Sequence, residues 1–339
     1  MTQQRNEAVG YQHILVATDF SPHADAAIKQ ALWLARQNGA RIVLEHTLPD
    51  LRRAFLGASY QARLDFLYGE GNLFQRELRK ESDTKLRRMI ETLNAMDLDV
   101  TFETLLGEAY VELTHAVLAE GYDLVLAGTR GLAAWEHFFV GSTAKRLIRK
   151  CPASVWIVKV EHVVPPKIVL AATDFSDVSC KAVSQGLWVA QQAKAEFHLL
   201  HVIDSTDVPE DLVAKVAQGS SFLDEIKAEA KKRLESLIES LNTDRSRIQS
   251  HLSSGIPWKE IGHTAEHLNA DLITIGTVGR SGIKGLLLGN TAEKVLGTCD
   301  CSILTVKPDG FVSPIDPAFW PLHPSSKGDS ATTEQRPKT

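Results

Sequence analysis

Apolar residues along this chain fall into two kinds of pattern. Short continuous runs of mostly branched side chains, His13-Ile14-Leu15-Val16-Ala17 and Ile168-Val169-Leu170-Ala171-Ala172, read as strands buried on both faces. Each leads into Thr-Asp-Phe-Ser, at 18–21 and 173–176. The period then changes. Ser21-Pro22 supplies a cap and a first-turn proline, and Ala27, Ala31, Leu34 and Ala35 line one face of a helix, with a partner helix expected over 177–192. Second strands follow at 41–46 and 196–201. After a variable segment comes a long amphipathic helix, marked by Leu86, Met89, Ile90 and Leu93 in one place and by Phe222, Ile226, Ala230, Leu234, Ile238 and Leu241 in the other. Third strands are expected at 100–106 and 247–252, helices at 110–120 and 258–268, fourth strands at 123–127 and 271–275, and final strands at 154–158 and 302–306. Strands that alternate with helices, each strand a near-continuous apolar run, predict an α/β fold with parallel sheets covered on both faces.

These elements occur twice because the sequence occurs twice. Ala17 to Ser21 returns as Ala172 to Ser176 and Leu32-Trp33 as Leu187-Trp188, an offset of 155. Gly128-Thr129-x-Gly131, nine residues and Gly141 return as Gly276-Thr277-x-Gly279, nine residues and Gly289, an offset of 148, and Cys151 to Lys159 matches Cys299 to Lys307. One deletion of seven residues accounts for the difference (155 − 148 = 7). This is a duplicated domain, with boundaries read as 1–160 and 161–310 and a tail at 311–339, polar and partly disordered, that the pair Phe319-Trp320 would pin to the body. The linker ahead of the second copy, Glu161 to Lys167, is short and carries Pro165-Pro166, so the halves are expected to pack together.

Composition narrows the function. A charged fraction of 23% and a net charge of -5 are those of a globular chain with no broad attraction for nucleic acid or anionic membrane. The polar N-terminus and the lack of a long apolar run place the expectation in the cytoplasm, with no membrane contact. Four cysteines, Cys151, Cys180, Cys299 and Cys301, make neither a disulfide framework nor a zinc pair, so no metal site is expected. No Walker loop, dinucleotide fingerprint after the first strand, or nucleophile elbow is present, and neither copy shows a base for activating water, so the expectation is binding, not catalysis.

The candidate chemistry lies where ligands sit in such sheets, beyond the carboxyl ends of the strands. Asp19 and Asp174 end the first strand of each copy; the glycine turn, Gly128 and Gly131 or Gly276 and Gly279, ends the fourth. It leads to Gly141-Ser142-Thr143 or Gly289-Asn290-Thr291 at a helix start. Glycines admit a close anion, the helix start offers N–H groups, and a hydroxyl or amide adds a donor, so a phosphate is the expected guest, with the aspartate facing base or ribose. The competing reading is plain capping, with Ser142 or Asn290 as N-cap and Glu293 completing a capping box. Lys145, with Arg146, Arg149, Lys150 and Arg130, makes the first helix start the more anion-friendly, while Trp135 to Phe139 in its spacer would close the cleft or stack on a base. His46 and His201 end equivalent strands near the cleft, where a mirrored histidine is a candidate general base with no partner carboxylate evident. The aromatic segment 51–74 reads as a domain interface in preference to a lid or a groove for an apolar ligand.

The strand ending in Thr-Asp-Phe-Ser, Gly-x-x-Gly, nine residues and Gly-Ser/Thr together resemble the universal stress protein family across both copies, from about 11 to 308. That resemblance implies two tandem Rossmann-like domains of the adenine nucleotide alpha hydrolase-like kind, each a five-stranded parallel sheet with helices on both faces. The pair would form an intrachain pseudo-dimer joined through the last strands, with a homodimer or other protein partners beyond it. Some members bind ATP, with magnesium, through these motifs and others bind none. By resemblance the site would be Asp19, Gly128, Gly131, Gly141, Ser142 and Thr143 in the first copy, and Asp174, Gly276, Gly279, Gly289, Asn290 and Thr291 in the second, where Asn290 replaces the usual Ser or Thr. The resemblance also implies that His46 and His201 are structural strand-end residues and not bases. The implied function is a cytoplasmic stress-response module, regulatory or protective; a slow ATPase or phosphoryl-transfer enzyme and a nucleotide-free interaction scaffold are the alternatives.

Overall fold

The computed structural model describes residues 10–51, 70–93, 97–129, 140–160, 164–204, 222–279 and 288–315. The first repeat holds strands β1 (His13–Ala17), β2 (Arg41–Leu48), β3 (Val100–Leu106), β4 (Leu124–Gly128) and β5 (Ser154–Val158), with helices α1 (Pro22–Asn38), α2 (Glu70–Thr92), α3 (Ala109–Glu120) and α4 (Ser142–Lys150). The second holds β6 (Ile168–Thr173), β7 (Glu196–Asp204), β8 (Ile248–Gly255), β9 (Leu272–Gly276) and β10 (Ser302–Val306), with α5 (Asp177–Ala193), α6 (Phe222–Ser240), α7 (Pro257–Leu268) and α8 (Asn290–Thr298). Every expected element is present, most within a residue or two of its expected bounds.

All ten strands join one sheet in the order β3-β2-β1-β4-β5-β10-β9-β6-β7-β8. Pairing is parallel inside each repeat and antiparallel where β5 meets β10, with Ile157 opposite Ile303, Trp156 opposite Leu304 and Val155 opposite Thr305. The last strands join the repeats, as the resemblance implied. Two continuous apolar clusters cover the faces: one gathers residues of α1, α2, α5 and α6, the other residues of α3, α4, α7 and α8, each from both repeats. Side chains on both faces of the central strands are therefore buried, which is why those strands read as unbroken apolar runs.

Polar groups set the register. Asp123, just before β4, accepts from the backbone N–H of Gln12 at 2.7 Å, and its counterpart Asp271 accepts from Lys167 at 2.7 Å and Ile168 at 3.0 Å, so each repeat ties the start of its first strand to its fourth. At the junction, Lys159 Nζ donates to the Cys299 carbonyl at the end of α8 at 2.6 Å, and Lys307 Nζ donates to the Ile148 carbonyl near the end of α4. Each lysine thus serves the carboxyl end of the other repeat's last helix, where orphan carbonyls and the helix dipole favour a cation. Lys307 is 3% exposed, and its burial pulls the amine down to about 8.

Trp156 is 1% exposed at the centre of the junction. Trp156→Ala is expected to cost about 3–5 kcal/mol, the usual range for deleting a buried aromatic. The midpoint shift in urea unfolding measures it.

Candidate functional site

Each repeat reverses its strand order between the first and fourth strands, β1 beside β4 and β6 beside β9. Consecutive connections depart to opposite sides there, leaving a crevice at the carboxyl ends. The Thr-Asp-Phe-Ser turn forms one lip. Phe20 and Phe175 adopt left-handed backbone, φ 63° and 64°, and a web of short-range bonds holds them there. Thr18 Oγ1 accepts from the Phe20 N–H at 3.1 Å, Asp19 Oδ1 accepts from the Ser21 N–H at 3.1 Å, and Ser21 caps α1 by accepting from the Ala24 N–H at 3.2 Å. The second repeat does the same through Thr173, Asp174 and Ser176.

His46 and His201 sit beneath this lip. The Nδ1 of each lies 2.7 or 2.8 Å from the carbonyl of Thr18 or Thr173, and each ring packs on the Phe that follows, centroids 4.5 and 4.2 Å apart. Their place is under the turn, as strand-end supports. A non-glycine residue in left-handed conformation has no signal in the sequence, since phenylalanine disfavours it.

The glycines divide into two roles. A Cβ on Gly128 would lie 2.6 Å from the backbone carbonyl of His23, and one on Gly276 would lie 2.9 Å from Val178 Cγ1, so these two admit the start of α1 or α5 against the strand end. Close helix packing thus requires Gly128 and Gly276, a reason for glycine that is independent of any ligand. Gly279 differs, because a Cβ there would meet Asp174 Oδ2 at 2.8 Å. The structure thus brings Asp174 and Gly279 together across the crevice. Gly131, the spacer aromatics 135–139, the second spacer 281–285, Arg130, most of the aromatic segment 51–74 and the pair Phe319-Trp320 lie outside the described residues.

The opposite lip is a helix start. Gly141 and Gly289 are the N-caps of α4 and α8, and neither helix has a side-chain cap bond. Ser142 and Asn290 are first helical residues, exposed, so the capping-box reading is corrected. The reason is local: the N–H of Gly141 donates to the Thr129 carbonyl at 2.6 Å and that of Gly289 to Thr277 at 2.7 Å, and these bonds fix the chain one residue earlier than the side-chain preference indicates. Thr129 and Thr277 are in turn held by the carbonyls of Val158 and Val306, at 3.2 and 3.0 Å. Thr143 and Thr291 are half-buried beside the caps.

The basic cluster on α4 is committed elsewhere. Arg146 pairs with Glu108, Arg149 reaches across the junction to Glu293, and Lys150 lies 4.8 Å from the Tyr110 ring. The electrostatic contrast that remains is in the first turns, where α8 carries Glu293 and α4 carries no acidic residue. Burial raises the thiols of Cys151 and Cys301, and all four cysteines are free. Among the described residues no His, Cys, Asp and Glu group is placed to hold a metal ion, and no helix is long and apolar enough to cross a membrane.

Comparison with known proteins agrees with this architecture. The model of the universal stress protein family matches twice, over residues 10–159 and 166–307. The chain is 26% identical over 330 residues to universal stress protein E of Escherichia coli K12, covering 90% of this chain and 97% of that protein, and 25% identical over 323 residues to universal stress protein E of Photorhabdus laumondii, covering 91% and 98%. The crystal structure of a putative universal stress protein from Pseudomonas aeruginosa shares the fold at a TM-score of 0.59 and 21% identity, over 88% of this chain and 94% of that one. With two family matches that together span most of its length, on a fold of two matched halves, this chain belongs to the universal stress protein family.

Proposed function

We propose that the protein is a tandem stress-response module, regulatory or protective, that binds adenine nucleotide, ATP with its magnesium, and passes its state on through protein contacts. One observation carries the reading: in both repeats a helix start with a glycine N-cap and no side-chain cap faces an aspartate-bearing turn at the sheet's switch point. Backbone N–H groups left at a helix start attract an anion, and an aspartate suits base or ribose hydroxyls. Asp19, Gly131, Gly141, Ser142 and Thr143 would hold one nucleotide, with Gly128 shaping the strand end behind it. Asp174, Gly279, Gly289, Asn290 and Thr291 would hold the other, with Gly276 in the equivalent supporting place. The first cleft is the tighter one on this reading, because Lys145 stands in the first turn of α4 at the place where α8 has Glu293, a carboxylate that Arg149 pairs.

Isothermal titration calorimetry with ATP and magnesium tests this, after mass spectrometry for nucleotide carried through purification. Gly141→Val is expected to weaken binding at least about tenfold, roughly 1.4 kcal/mol, and Gly289→Val to weaken it less. No heat, no carried nucleotide and no difference between variants would leave an interaction scaffold.

The two glycine roles also separate experimentally. Gly128→Ala forces backbone against backbone and should lower stability by about 1–3 kcal/mol. Gly279→Ala meets a movable carboxylate, so its urea midpoint should stay within about 0.5 kcal/mol of the parent while nucleotide affinity at the second cleft falls.

A further inference from the structure

In β2, Ile42 and Leu44 join the cluster beneath α1 and α2, so Glu45, the next residue in the alternation, points with Val43 to the other face, toward α3. There it is 1% exposed, and among the described residues neither carboxyl oxygen has a hydrogen-bond partner. Its surroundings are acidic. Glu103 sits beside it in register on β3, Glu112 and Glu120 approach from α3, and Tyr122 follows that helix, with Arg41 of β2 acting on Tyr122. His115 of α3 is buried as well. These carboxylates do not form a cation site.

The second repeat supplies an internal comparison. Leu200 occupies the place of Glu45, also 1% exposed, and Glu260, the counterpart of Glu112, accepts a hydrogen bond from Ser253, where the first repeat has Leu105. A buried carboxyl thus stands at this place in one repeat and a leucine in the other, and burying it in charged form would be costly.

We propose that Glu45 is a proton-operated latch in the first repeat. Protonated, it completes the packing between β2 and α3; ionised, it faces three carboxylates and loosens that packing. The opening is felt at the candidate cleft, because the Glu45 carbonyl holds the Thr18 N–H at 2.9 Å and Asp19 follows directly. Burial, with Glu103, Glu120 and Glu112 adding to it, holds the carboxyl well above the ordinary value of 4.5. The folded state therefore keeps its proton while the unfolded chain ionises. Stability is full below the ordinary value and falls as pH rises toward the raised one, by up to about tenfold in the opening equilibrium per pH unit. The latch stands whether or not nucleotide binds.

Amide hydrogen exchange on the full chain tests it between about pH 5 and pH 8, with Thr18 as reporter and Thr173 as its counterpart. After correction for the intrinsic exchange rate, wild-type protection at Thr18 is expected to fall with rising pH, by up to about tenfold per unit. The slope should vanish in both Glu45→Gln and Glu45→Leu, the latter reproducing the second repeat, and Thr173 should not respond. A slope that persists in both variants would assign the titration to another group, His115 included, and overturn the latch. A flat wild-type profile, or equal slopes at Thr18 and Thr173, would do the same.

Discussion

The antiparallel pairing of β5 with β10 is the constraint on which the rest of the molecule depends. Five parallel strands alone would leave β5 as an apolar edge, and such an edge recruits other chains. Pairing Trp156 with Leu304 covers both inner edges at once and aligns the two repeats so that each face of the sheet carries one continuous apolar cluster. The edges that remain, β3 and β8, carry Thr101 and Glu103 in one case and Gln249, Ser250 and His251 in the other. Polar side chains of this kind discourage further strand addition.

The same pairing sets the arrangement of the candidate clefts. The end of α4 lies near Lys307 and the end of α8 near Lys159, while Arg149 of α4 reaches the first turn of α8. Each helix whose start forms a cleft lip is therefore gripped at its other end by the opposite repeat. The lips also share backbone with the junction strands, since Thr129 and Thr277 hang on Val158 and Val306, directly before the two lysines. A side-chain web in the Thr-Asp-Phe-Ser turns then holds the aspartates in place against the strain of Phe20 and Phe175.

Much of this was legible in the sequence because buried parallel strands leave an unmistakable trace. His13 to Ala17 and Ile168 to Ala172 have no polar alternation to confuse with a surface strand, and Ser21-Pro22 marks a helix start by capping chemistry alone. Tertiary contacts overrode local preference elsewhere. Ser142 and Asn290 are better N-caps than glycine in isolation, yet a backbone bond to the preceding loop moves the cap to Gly141 and Gly289. Gly128 reads as part of a phosphate turn, and nothing local announces that the approach of His23 requires it as well. Glu45 reads as the first of the polar residues that end the second strand, and its burial follows from strand register and the placement of α3, neither of which is written locally.

Joining the repeats covalently has a consequence for how they can differ. Two separate copies of one chain that paired through their last strands would have to carry identical clefts, and every substitution would appear in both. Here the partner of β5 is always β10, at an effective concentration set by a short linker and independent of dilution. Glu45 opposite Leu200, Lys145 opposite Glu293 and Ser142 opposite Asn290 are differences that a symmetric assembly has no means to encode. Fusion thus turns a two-fold assembly into one whose halves are free to acquire a division of labour.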